Sequence, residues 1–113
     1  MPEKTRDLTE FKFDKARQSF LRIRELAEKL QLGFGHNIVL YNTADKLAGY
    51  AAGAAAIEES DADYSIHVAS ALQDLRQTFN ETLPLFSRYQ IHNTAENRAL
   101  LSEVAALIAK IRT

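Results

Sequence analysis

Residues 13–30 read Phe13-Asp14-Lys15-Ala16-Arg17-Gln18-Ser19-Phe20-Leu21-Arg22-Ile23-Arg24-Glu25-Leu26-Ala27-Glu28-Lys29-Leu30. Phe13, Ala16, Phe20, Ile23, Ala27 and Leu30 recur in steps of three and four. That spacing gathers them into one stripe along a helix, the pattern of a bundle seam. The stretch predicts an amphipathic first helix from about Thr9 to Gln31. Asp7 and Glu10 have capping-box spacing at its start. Gly33 is placed to end it in a left-handed conformation, with the turn Leu32-Gly33-Phe34-Gly35 following.

Three more segments carry the same period. The second helix is expected from an Asn37 N-cap to about Glu58. Leu40, Tyr41, Ala44, Leu47, Ala48, Ala51 and Ala55 share a broad face, with Asn42, Asp45 and Lys46 opposite. A face so rich in alanine lets a neighbouring helix approach closely. The third helix is expected to open at Ser60, with Asp63 in its first turn, and to end near Gln90. Its stripe is Tyr64, Val68, Leu72, Leu75, Phe79, Leu83 and Phe86. Pro84 has no amide hydrogen for the Asn80 carbonyl, which predicts a kink there. The fourth helix is expected to take Asn93 or Thr94 as cap, with Leu100, Leu101, Val104, Leu107, Ile108 and Ile111 forming a narrow stripe to the carboxyl end. Lys110 and Arg112 suit the negative end of its dipole.

Short turns make successive helices antiparallel neighbours. The expected fold is therefore an all-α, four-helix up-down-up-down antiparallel bundle with the third helix kinked near Pro84. The alternative is three helices, with the second and third fused, because nothing between Ile57 and Asp61 is a strong breaker. Residues 1–8 read as a flexible N-terminal segment and 9–113 as one domain. At 113 residues and 46% hydrophobic content, one core can form without a staple.

Composition removes several functions. The chain has no cysteine, so it has no disulfide, thiolate ligand or cysteine nucleophile. That fits a reducing, cytoplasmic compartment. A formal net charge of −1 supplies no general basic field for nucleic acid. The charged N-terminus lacks a signal core, and the longest apolar run, Leu47 to Ile57, is too short to span a bilayer.

The motifs for chemistry are sparse. Metal-binding bundles need Glu-x-x-His pairs on core faces, and the chain contains none. His36 and His92 flank helix ends that an up-down bundle brings together, so with Glu96 they form one candidate metal site; two solvated histidines is the simpler reading. His67 lies one turn from Asp63, the spacing of a surface ion pair, although an exposed helical histidine also suits a phosphorelay. Glu58, Glu59, Asp61 and Asp63 make an acidic turn that lacks the glycine and terminal glutamate of a calcium loop. Gly33-Phe34-Gly35 lacks the third glycine of a nucleotide loop and follows a helix. Nothing in the sequence points to catalysis or calls for a cofactor.

Three surface features exceed the needs of a lone bundle. Gly49 and Gly53 sit four apart on the outer side of the second helix, where each costs about 1 kcal/mol against alanine. A close helix crossing would use the missing side chains, by analogy with membrane helices. Lys15, Arg22 and Lys29 repeat every seven residues on the first helix, and Asp63, Asp74 and Glu81 mark the outer side of the third. Glu25 and Glu28 dilute the basic stripe, and a solvated face explains both. Phe11 and Leu21 fall off the main stripe. These features favour a small non-catalytic interaction module, an oligomerising or adaptor bundle that docks itself or another helical protein. The alternatives are a metal- or small-ligand-binding bundle using His36, His92 and Glu96, and a nucleic-acid accessory protein using Lys12, Lys15, Arg22 and Lys29.

Overall fold

The computed structural model describes residues 2–58, 60 and 62–111, with side chains from residue 16 onward. Among these the chain forms four α-helices and no strand: α1 (Pro2–Phe34), α2 (Ile38–Ala55), α3 (Tyr64–Arg88) and α4 (Ala95–Lys110). A 3-10 turn, Gln90–His92, links the last two.

The boundaries follow local chemistry. α1 begins at Pro2, upstream of the expected Thr9, and runs through Gly33 to Phe34. The left-handed residue is Gly35, at φ 56°, which corrects the assignment of that role to Gly33. The physical reason lies in Phe34, whose fully buried ring extends the apolar stripe one more step and keeps the helix going. Asn37 then caps α2 as expected, its Oδ1 accepting from the Leu40 amide at 3.1 Å.

α2 stops at Ala55, short of the expected Glu58, and Ile57 just beyond its end still packs against the core. α3 starts at Tyr64, after the expected Ser60, with Asp63 at the N-cap position making no side-chain cap bond. The break between Ala55 and Tyr64 decides for four helices over three. Thr94 caps α4, accepting from the Asn97 amide at 3.1 Å.

The core forms two contiguous clusters. One gathers Phe20, Ile23, Leu26, Leu47, Leu72 and Val104, among others. The other, around the α1–α2 turn, holds Leu30, Phe34, Leu40, Ala44, Phe86 and Leu101. The Phe34 and Phe86 rings meet at a centroid distance of 6.2 Å in a tilted arrangement. Each buried Leu or Phe side chain contributes about 1.5–3 kcal/mol over leaving it exposed.

The expected stripes of α1 and α4 are largely the buried ones, with Leu26 and Phe34 added. Phe13 lies outside the residues whose side chains are described. Two stripes need correction. On α2, Tyr41 is exposed and Ala54 takes a buried place. On α3, Leu83 is exposed and Phe79 half-buried, while Thr78 and Thr82 are buried. The helical period explains the exchange. Two successive steps of four from Leu75 to Phe79 and Leu83 drift sideways, whereas the path Leu75, Thr78, Thr82, Phe86 begins with a compensating step of three. The Thr82 hydroxyl donates to the Thr78 carbonyl at 2.9 Å, so its burial leaves it satisfied. Pro84 lies inside α3, which continues past it to Arg88.

Candidate interaction groove

α1 packs along α2, α2 along α3, and α1 along α4, whereas α3 and α4 approach each other only over a short stretch. The displaced α3 side chains explain what the helices leave between them. Phe79 and Leu83 have drifted off the core face toward α4, and α4 answers with small residues, Ser102, Ala105 and Ala109. Bulk on one wall and little on the other leaves a groove open to solvent.

The groove has two adjoining parts that share Phe79 and Ala105. The larger, about 450 Å³, is floored by Phe79, Leu83, Phe86 and Leu101. The smaller, about 370 Å³, continues past Ala105 to Ile108 and Ala109. α3 lines it from Arg76 to Ser87, roughly 16 Å of helical rise or three turns.

Its electrostatics are one-sided. Arg98 lines the larger part and Arg76 the smaller, and no carboxylate lines either. Arg98 donates to the Asn93 carbonyl and to Asn93 Oδ1, both at 2.9 Å, so its head is held at the rim. Among the described residues, neither arginine forms an ion pair. At about 100° per residue, Asp74 and Glu81 fall on the opposite shoulder of α3. Glu103 of α4 is turned to α1, where Arg22 holds it at 3.1 Å.

The residues expected to form surfaces have separate fates. Gly49 and Gly53 are exposed on α2, and a Cβ at either would meet open space. Leu21 and Lys29 are exposed on α1. Arg22 lies within 3.1 Å of both Glu25 and Glu103, and these carboxylates, Glu25 first, raise its pKa above the ordinary arginine value. The middle of the basic stripe is therefore a tie between α1 and α4. Phe11, Lys12 and Lys15 fall outside the described side chains, as do Glu59 and Asp61 of the acidic turn.

The end histidines lie in different surroundings. His92 is half-buried with its ring edge-on to Phe34 at 6.0 Å, while His36 and Glu96 are exposed. Among the described residues no three His, Cys, Asp or Glu side chains are grouped to hold a metal ion. Nor is any described helix long and apolar enough to cross a membrane.

The groove itself was not foreseen from the sequence. Its signals were the sideways drift of Phe79 and Leu83 and the column Ser102, Ala105, Ala109 beside the apolar stripe of α4. No family model, curated protein or solved structure matches the chain.

Proposed function

We propose that this protein is a small helical interaction module, acting by docking and not by catalysis, and that the α3–α4 groove is its docking surface. The observation that supports this reading is the groove's composition: an apolar floor of Phe79, Leu83 and Leu101 facing a wall of alanine and serine. An added helix would cover the exposed Leu83 and the half-buried Phe79, and the small α4 residues leave room for its backbone. The test is binding of an uncharged amphipathic peptide, leucines on one face and glutamines on the other. We expect saturable binding that Ala105→Phe, which fills the groove, abolishes. Binding that ignores this substitution contradicts the reading.

A second reading is self-association through the outer face of α2. It is favoured by Gly49 and Gly53 opening onto free space on a helix that also exposes Ile38, Val39 and Tyr50. Light scattering on a sizing column, at two concentrations and two salt levels, separates the two. Self-association predicts a dimer or larger species that Gly49→Leu with Gly53→Leu disrupts; a monomer under all conditions removes it.

A further inference from the structure

We infer that the partner seated in the α3–α4 groove is an acidic amphipathic helix, about three turns long, with carboxylates flanking its apolar face. This rests on the docking role proposed above and adds the chemistry of the occupant.

Charge complementarity selects the occupant. An incoming helix that covers Phe79 and Leu83 brings its flanks against Arg76 at one end and Arg98 toward the other. Both are exposed cations, and neither has an ion-pair partner among the described residues. The other charged groups on these two helices do not cancel them. Asp74 and Glu81 lie on the far shoulder of α3, Glu96 falls on the side of α4 away from Arg98, and Glu103 is engaged by Arg22 across the α1–α4 seam. The polar residues that complete the rim, Asn80, Asn93, Ser87 and Ser102, are neutral. A basic helix would meet two unopposed guanidiniums in a partly desolvated groove, which disfavours it. An acidic one would place carboxylates where each guanidinium can donate two hydrogen bonds.

The occupant is a helix and not an extended strand for a separate reason. Neither wall offers a free sheet edge, so an extended peptide would leave its backbone groups unpaired against apolar side chains. A helix satisfies its own backbone and presents apolar side chains on one face. The alanine and serine column on α4 accepts such a face closely.

The probes are two synthetic peptides with the same leucine face, one flanked by glutamates and the other by lysines. Binding is measured by fluorescence anisotropy to the full chain at low and moderate salt. We expect the glutamate peptide to bind about tenfold more tightly at low salt, and the preference to shrink as salt rises. Arg76→Glu should narrow or invert the preference, and Leu83→Ser should weaken both peptides. Both sites are exposed, so each variant retains the wild-type helical signal in circular dichroism as a check on folding. Equal binding of the two peptides, or preference for lysine, with Ala105→Phe still abolishing binding, overturns the acidic partner and leaves the groove's docking role standing. Failure of both peptides, or binding that ignores Ala105→Phe and Leu83→Ser, overturns both. A dimer that Ala105→Phe converts to monomer makes a second copy the occupant and also overturns the acidic partner.

Discussion

At Gly33 a side chain has nowhere to go: a Cβ built there would lie 2.5 Å from Asn97 Oδ1. Asn97 cannot easily give way, because it is buried and its Nδ2 donates to the His92 carbonyl at 2.9 Å. Gly33 is thus where α1 and the first turn of α4 come close. Gly49 is also a helix-interior glycine, but its missing side chain opens onto free space. The same substitution should therefore have opposite signs at the two positions. Gly33→Ala should lose about 1–2 kcal/mol through displacement of a buried hydrogen-bonded amide, in excess of any helix-propensity gain. Gly49→Ala should gain about 1 kcal/mol. Urea denaturation of the two variants checks both signs; stabilisation at Gly33 would mean that Asn97 is free to move. The sequence separates turn glycines from helix glycines but places the left-handed role at Gly33 and gives no sign of its contact with Asn97. Only the fold distinguishes a contact, at Gly33, from a left-handed turn, at Gly35, and from open surface, at Gly49.

For the helices, legibility tracks how local the deciding physics is. The caps at Asn37 and Thr94 are set by side chains within three residues of the amides they accept from, so the first is readable outright and the second as one of two neighbours, Asn93 or Thr94. Thr94→Ala should cost about 1 kcal/mol, measured as a shift of the urea midpoint with an unchanged m-value. The apolar stripes of α1 and α4 were readable for the same reason, since each follows one consistent period. α3 was not, because it carries two apolar paths that part at Leu75. One continues through Phe79 and Leu83, and the other through Thr78 and Thr82 to Phe86. Residue type favours the first, whereas packing chose the second and left Phe79 and Leu83 beside α4. That choice depends on where α2 and α4 sit, which no local pattern encodes. The groove was hidden from the sequence for this reason. Arg22 is legible only in part: its place in a basic stripe is visible in the sequence, but its ion pair with Glu103, 81 positions away in the chain, is not.

On the scale of the molecule, three of the four contacts around the helix ring are extensive and the fourth, between α3 and α4, is thin. The proposed interaction role rests on that asymmetry: a ring with one loose seam presents apolar floor at the seam, and a further helix could close it. The α2 face, by contrast, is open but carries little apolar bulk along its glycines. The most direct measurement is amide chemical-shift mapping of the full chain titrated with the glutamate-flanked amphipathic peptide. Docking in the groove predicts saturable shifts concentrated at Arg76, Phe79 and Leu83 of α3 and at Arg98, Ser102 and Ala105 of α4, with Gly49 and Gly53 unmoved. Shifts centred on Gly49 and Gly53, or no saturable shifts at all, would contradict it.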